Sequence, residues 1–346
     1  MAEKHEDDTV SVSGELTDTG VKASIKSRAV SAWDRLFGAK ADKRRAPIDA
    51  EVAETTAISA ARVKMIEALG ELGVDRLKND PEFAARAMEN FLPSLLRKQG
   101  NKDAVLQLAA EDLRQNPGTE EQASSGPEQV NDAFLNRFER YAEDATDDEI
   151  RERWAKVLAT EIRKPGTFSG KVMRVIDELD KSTAEEFSKV CSFRMEDVIP
   201  KVFLPDLAYM TQVKLVTAGL IAEPGLGQVR ESNQTADSNG VKLRFWPFDG
   251  VALAATDPVG EVRDYQTIQV HEGKPSMPIF ILTDVGAAIA SILPSDLDDL
   301  ANRMIEKFSA AMPQAEIRKY ARGNGREWRQ IATIAPKEPI VSGEPN

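Results

Sequence analysis

The chain has 346 residues, of which 41% are hydrophobic, and its formal net charge at pH 7 is -12. Such a length exceeds what one compact core requires, and the apolar fraction suffices for buried cores, so we expect two or three domains with polar tails. The charge excludes a protein that coats nucleic acid with its whole surface, although a local basic patch is allowed. The single cysteine excludes an internal disulfide, which is typical of a reducing compartment.

The cellular location is predicted from what the sequence lacks. No apolar run approaches the roughly 18 residues of a membrane-spanning helix. The first residues are acidic and lack the apolar stretch of a secretory signal. We therefore expect a cytoplasmic protein.

Residues 1–20 are polar and predict a flexible tail, whereas residues 21–114 predict amphipathic helices that are candidates for oligomerisation. The first helix, 21–38, opens a basic stretch that reaches residue 45. One interpretation is that it docks on an anionic membrane surface or in a partner's groove. The side chains that would make this contact are Lys22, Lys26, Trp33, Arg35 and Phe37. The commoner alternative is that the apolar side packs on helices of the same chain.

A linker is predicted at 115–130, where Pro, Gly, Ser and Glu dominate. The following residues, 131–195, predict a helical core domain. Within it, the capping pattern at Thr146–Glu149 opens a helix with Trp154 on its apolar side, and Pro165-Gly166 ends that helix.

The composition changes again over residues 196–310. A helix ending in Gly-Leu-Ile at 219–221 precedes β-like runs at 241–246, 251–255, 267–270 and 278–282, and Leu-Thr-x-x-Gly at 282–286 precedes another helix. This order is typical of a winged-helix-like α+β domain. The predicted fold class is therefore mainly α, with an N-terminal helical segment, a central helical domain and this small C-terminal α+β domain.

The last segment, 311–346, predicts a polar basic tail. Cations can neutralise phosphates and aromatic rings can stack on bases, so its central part is a candidate nucleic-acid-binding segment. The candidate residues are Arg318, Lys319, Arg322, Arg326, Trp328 and Arg329. The alternative is a tail that is simply solvated or that packs against an acidic face of the chain.

The central helix carries the segment Trp-Ala-x-x-Leu-Ala-x-Glu-Ile, followed by Pro-Gly-x-Phe-Ser. It resembles an uncharacterised bacterial family, a domain of unknown function. The resemblance covers most of residues 130–295 and implies no activity. The motif core residues are Trp154, Glu161, Pro165, Gly166 and Ser169.

The sequence contains no recognisable catalytic set. Glu161 could act as a general acid or base, but a lone carboxylate more often pairs with an Arg or caps a turn. The only histidines are His5 and His271, and with one cysteine there is no zinc pattern. We therefore expect no catalytic residue, metal site, cofactor or small-molecule substrate.

The function expected from these observations is that of a non-enzymatic binding protein. It would contact nucleic acid, protein or both through the winged-helix-like domain and the basic tail. Two alternatives stay open: an oligomeric adaptor or scaffold that self-associates or holds a protein partner without nucleic acid, and a peripheral membrane protein attached through residues 21–45.

Overall fold

The computed structural model describes residues 23–36, 76, 78–90, 92–124, 126–225, 227–323 and 327–338. The chain divides into two compact units, one ending at Gly170 and the other beginning at Lys171. Each unit is described by itself below. The predicted linker at 115–130 lies inside the first unit, where it contains a short helix.

The described part of the first unit is helical. The helices begun there are α1 (Ala23–Leu36), α2 (Pro81–Asn90), α3 (Leu92–Gln115), α4 (Glu120–Ser124), α5 (Asp132–Glu143), α6 (Asp148–Arg163) and α7 (Gly170–Glu178). Pro93 stands in the first turn of α3, where a missing backbone N–H costs nothing.

Helix α6 is the centre of this unit. Its N-cap is Asp147, whose side chain accepts a hydrogen bond from the backbone N–H of Ile150. The indole ring of Trp154 is 2% exposed, stacks on Tyr141 and meets Phe138 edge-on. Burial of a tryptophan between two aromatic side chains is a large apolar contribution to the core, so this motif residue has a structural role.

A buried arginine joins α1 to the neighbouring elements. Arg28 is 2% exposed, and its guanidinium donates hydrogen bonds to backbone carbonyls at the ends of two helices and in the segment that follows α4. The accepting residues are Gln122, Ala123, Pro127 and Arg163. A cation at helix C-termini satisfies carbonyls that have no intrahelical partner.

The second unit combines helices with two antiparallel sheets. After the rest of α7 come α8 (Lys181–Cys191), β1 (Val198–Pro200), α9 (Tyr209–Thr217), β2 (Val229–Glu231), β3 (Asn233–Ala236), β4 (Lys242–Pro247), β5 (Val251–Thr256), β6 (Gln269–His271), β7 (Lys274–Ile281), α10 (Asp284–Ala290), α11 (Leu297–Ala311), β8 (Ile317–Arg322) and β9 (Trp328–Ile334).

The smaller sheet is built around β7. Strand β2 pairs with the middle of β7, with Glu231 opposite Ser276, and β6 pairs with its first half, with Gln269 opposite the same Ser276. Since one residue pairs with both strands, β2 and β6 flank β7 on opposite sides. Strand β1 pairs with the last residues of β7.

The larger sheet has five strands in the order β3-β4-β5-β8-β9. One face, called here the inner face, packs on α11. Trp246 of β4 is fully buried there and meets Phe308 of α11 edge-on at 4.9 Å. Leu253 of β5 and Ile317 of β8 belong to the same buried cluster. This is the main core of the second unit.

The fold-class prediction is wrong. Besides their helices, the described residues form two antiparallel sheets in the C-terminal half, so the protein is α+β and not mainly α. A winged helix does not describe the nine strands in two sheets that the described residues form. The local pattern behind that prediction reflects a real contact, because Thr283 caps α10 and its hydroxyl donates to the carbonyl of Gly219.

The segment predicted as a polar basic tail also differs. Residues 317–322 and 328–334 form β8 and β9, and β8 lies between β5 and β9 in the larger sheet. Apolar residues alternate with polar ones in this stretch and contribute to the core of the sheet. The many cations of the stretch make this alternation hard to recognise in the sequence.

Among the described residues, none of the helices is both long enough and apolar enough to cross a bilayer.

Candidate functional site

The larger sheet has a second face, called here the outer face, that no described helix covers as α11 covers the inner one. Side chains alternate along each strand, so the neighbours of the inward-facing Trp246 point outward. In the register, Phe245 lies opposite Ala254, and Ala252 lies opposite Tyr320. The small side chains of Ala252 and Ala254 therefore leave a shallow depression between the larger side chains of the flanking strands.

Three aromatic rings gather on this outer face. Phe245 of β4 meets Tyr320 of β8 at a centroid distance of 5.6 Å, and it meets Trp328 of β9 at 5.6 Å as well. Both pairs are edge-to-face, which is a favourable arrangement for the ring quadrupoles. Phe245 and Trp328 are only half-buried, so part of each ring is open to solvent.

A cleft of about 580 Å³ opens beside these rings. Its volume lies within the range of roughly 300–1,000 Å³ that is usual for ligand sites. Besides the three rings, most of its walls consist of polar side chains from the β3–β4 hairpin and from the last two strands, and two apolar side chains, Ala236 and Leu243, complete them. The polar residues are Thr235, Asp237, Ser238, Asn239, Arg318 and Gln330.

Arg318 and Asp237, which line the cleft, belong to an ion-pair network. Arg318 donates a hydrogen bond from Nη1 to Oδ2 of Asp237 at 2.7 Å and from Nε to Oε1 of Glu316 at 2.5 Å. Burial tends to lower the pKa of Arg318, but its hydrogen bonds to Asp237, Tyr320 and Glu316 outweigh burial and raise that pKa. The bond from Arg318 is also the largest cause of the lowered pKa of Asp237. The guanidinium of Arg318 and the carboxylate of Asp237 are therefore charged at neutral pH.

The end of the cleft beside the β8–β9 turn has a different charge. The guanidinium of Arg322 lies 6.0 Å from the centroid of the Trp328 ring on the outer face. Arg329 is exposed, but it lies opposite Ala321 in the register, so its side chain points to the inner face. Arg322 forms no ion pair with any residue that the structure describes. A cation beside a half-buried indole ring is suited to a ligand that combines negative charge with a flat ring.

The candidate nucleic-acid-binding residues are thus divided between two environments. Arg318 and Trp328 line the cleft, and Arg322 lies beside Trp328 on the same face. Arg329 points to the inner face, because it pairs with Ala321. Lys319 also faces inward and is 2% exposed. Its ammonium donates to Asp298 and Asn302 of α11, so it holds the sheet on the helix and does not face a ligand. Arg326 lies outside the described residues.

The most informative side chains of the cleft are absent from the predicted set. Phe245 and Tyr320 come from separate strands, and Asp237 belongs to a hairpin 81 residues before Arg318. The alternation Arg318, Tyr320 against Ile317, Lys319 is the signal that could have assigned two faces to β8. No sequence pattern indicates which strand lies beside it.

The candidate membrane or partner helix packs within the first unit. In α1, Ile25, Trp33 and Leu36 are buried, whereas Lys26 is half-buried and Arg35 is exposed. Lys22 and Phe37 lie outside the described residues. This burial favours the alternative in which the apolar side of the helix packs on its own chain.

The motif core residues surround one turn. The carboxylate of Glu161 accepts the backbone N–H of Gly166 at 2.6 Å and that of Phe168 at 3.0 Å, while its side chain is 1% exposed. Burial raises the pKa of Glu161, and the backbone hydrogen bonds oppose that rise. Glu161 therefore fastens the turn that Pro165 and Gly166 begin. Ser169 is exposed directly before α7.

The comparisons with known proteins give one match. Residues 85–201 match the model of a family described as "Protein of unknown function (DUF2806)". This agrees with the expected resemblance to an uncharacterised domain family, while the implied bacterial origin stays a prediction. No curated protein and no solved structure matches the chain. The matched range ends before β2, so the outer-face cleft lies wholly outside it.

Proposed function

We propose that the protein binds single-stranded nucleic acid on the outer face of the five-stranded sheet. The observation that supports this proposal is the cluster of Phe245, Tyr320 and Trp328 beside an open cleft on one sheet face. Bases stack on aromatic side chains in a sequence-tolerant way, because every base presents a flat π-face. A duplex hides these faces within its own stack, so an unpaired strand is the better ligand.

The charges support a defined orientation of that strand. Two carboxylates, Asp237 in the cleft wall and Glu316 next to it, pair with the single guanidinium of Arg318. A phosphate would be repelled from this group of charges, whereas an uncharged base would not. Arg322 provides positive charge beside Trp328 at the β8–β9 end. We therefore expect bases to point toward Arg318 and its partners and phosphates to pass beside Arg322.

The decisive experiment is a fluorescence-anisotropy titration of the full chain with labelled single-stranded oligonucleotides at low salt. Trp328→Ala should weaken binding by about 5- to 150-fold, which corresponds to the roughly 1–3 kcal/mol of one base–aromatic stack. Tyr265→Ala is the matched control, because Tyr265 is 64% exposed and does not line the cleft. The same titration with a duplex of equal length should give weaker binding.

Salt dependence tests the orientation separately. Changing Arg322 to Ala should reduce the slope of log K against log salt by roughly 0.7, the value for one phosphate of a single strand. The proposal fails if the chain binds no oligonucleotide at low salt, or if Trp328→Ala and Tyr265→Ala bind equally well. It also fails if a duplex binds more tightly than the single strand.

A second candidate function is self-association, which corresponds to the adaptor alternative. Helix α9 exposes Tyr209 by 74% and Met210 by 71%, and Val213 follows one turn later on the same helix. Exposed large apolar side chains at this spacing support a contact with another copy of the chain. Size-exclusion chromatography with light scattering tests it. If Met210→Glu leaves the measured mass unchanged, this candidate is excluded.

A further inference from the structure

The smaller sheet brings together a second set of functional groups, separate from the outer-face cleft. In the register, Glu231 of β2 lies opposite Ser276, and His271 of β6 lies opposite Lys274. Since residues 274 and 276 of β7 point to the same face, Glu231, His271 and Lys274 share that face. They meet at the end of the sheet where β6 turns into β7.

The distances show a compact cluster. Nδ1 of His271 lies 3.2 Å from Oε1 of Glu231, and Nζ of Lys274 donates to Oε2 of the same carboxylate at 2.7 Å. Glu272, in the β6–β7 turn, adds a second carboxylate. One ligand atom from each of Glu231, His271 and Glu272 lies within 4.8 Å of the other two.

The turn itself contains a residue that local geometry does not favour. Glu272 has a φ of 49° and Gly273 a φ of 75°, so both central residues of this two-residue hairpin turn have positive φ. Asn, Asp or Gly normally occupies the first of these positions. A Glu there has a conformational cost, and its carboxylate accepts no hydrogen bond from the described residues. The choice of Glu is therefore not explained by the turn.

The cluster already favours a positive charge. The ammonium of Lys274 forms an ion pair with the carboxylate of Glu231 at 2.7 Å. A divalent ion in the place of the ammonium could also bond to the carboxylate of Glu272 and to the imidazole of His271, with which the ammonium forms no hydrogen bond.

We propose that Glu231, His271 and Glu272 bind a divalent cation of the zinc class. One imidazole and two carboxylates are ligands that such ions accept, and three protein ligands leave one position for water. The ion takes the place of the Lys274 ammonium, which moves into solvent on its flexible stem. Since Lys274 competes with the ion, the affinity is lower than that of a site with the same ligands and no lysine.

Because Lys274 competes with the ion, replacing a ligand and replacing Lys274 should have opposite effects on the affinity for Zn²⁺. The affinity is measured by titrating the full chain with Zn²⁺ against a chromogenic chelator. His271→Ala should lower the affinity by roughly 10-fold or more, as expected when one ligand is removed. Lys274→Met should raise the affinity, because it removes the competing charge without removing a ligand. His5→Gln is the matched control, because it removes the other histidine of the chain and should leave the affinity unchanged.

Glu272→Asn separates metal binding from folding. Asn suits the positive φ of this turn position, so the variant should melt at the same temperature as the parent or higher without metal. It should also lose the rise in melting temperature that Zn²⁺ gives the parent. The proposal is overturned if His271→Ala and His5→Gln bind Zn²⁺ as the parent does, or if Lys274→Met binds it less tightly.

Discussion

Arg318 and Asp237 are joined by a hydrogen bond of 2.7 Å although 81 residues separate them in the chain. Asp237 also accepts the backbone N–H groups of Asn239 and Val241 with its other oxygen. One carboxylate therefore both shapes the β3–β4 hairpin and ties it to β8, two strands away from β4. The rim of the cleft depends on this single side chain.

Asp237→Asn should lower the free energy of unfolding at pH 7, because the replacement removes the negative charge that pairs with the guanidinium of Arg318. The pKa of Asp237 is lowered from 3.8 in the folded state. The stability it contributes is therefore present above pH 3.8 and lost as the pH falls through the folded-state value. Urea unfolding of parent and variant should show a difference in the free energy of unfolding that becomes smaller below pH 3.8. A pH-independent difference would contradict this prediction.

Glu161→Ala should destabilise the protein by about 1–3 kcal/mol, because the N–H groups of Gly166 and Phe168 lose their buried acceptor. The pKa of Glu161 is raised above 4.5 in the folded state, mainly by burial. The folded state then binds its proton more tightly than the unfolded state. The advantage of the parent over Glu161→Ala should therefore decline as the pH rises from 4.5 through the folded-state pKa. Urea unfolding at several pH values measures this difference in the free energy of unfolding. A difference that grows as the pH rises would refute the prediction.

Gly286→Ala and Gly100→Ala should have opposite effects. A Cβ at Gly286 would overlap the backbone carbonyl oxygen of Leu220, so α10 would have to move. We expect a loss of about 1–3 kcal/mol. A Cβ at Gly100, within α3, meets nothing, and Ala in a helix is favoured by roughly 0.5–1 kcal/mol. Thermal unfolding of the two variants checks both signs, and equal melting temperatures would contradict the packing described for α10.

Cys191 should not react with thiol reagents in the folded protein. Burial raises the pKa of its thiol to about 12, although the charge of Arg194 opposes that rise. The reactive thiolate is therefore scarce at pH 8, and the sulfur is also covered. A colorimetric thiol assay should detect no cysteine in native protein and one after unfolding in guanidinium. Rapid reaction of native protein would show that α8 opens.

The structural features that are best predicted from the sequence are those determined by residues close together in the chain. The helix that holds Trp154 is predicted correctly, as is its end at Pro165-Gly166, although its N-cap is Asp147 and not Thr146. The β-like runs near 241–246 and 251–255 are also strands in the structure. For Glu161 the sequence allows two partners, an Arg or the turn after Pro165-Gly166, and the structure shows the turn.

Contacts between distant segments account for what the sequence does not predict. Arg318 and Lys319 look like adjacent cations of a tail when only the sequence is read. In the sheet they point to opposite faces, and their carboxylate partners, Asp237 and Asp298, lie far away in the chain. Strand pairing selects those partners, and pairing across long intervals leaves no periodic signature in one sequence.

Strand β1 limits how the chain can be divided for experiments. Its three buried residues, Val198–Pro200, fall just inside the family-matched range 85–201, but they pair with β7 near residue 280. A fragment with these bounds would keep β1 and lose its partner, leaving Ile199 and its backbone N–H and C=O groups uncovered. It would also lack Arg28, which binds the carbonyls around α4. Boundaries chosen by family similarity alone would therefore produce an aggregation-prone polypeptide, whereas a cut at Gly170 would divide no strand.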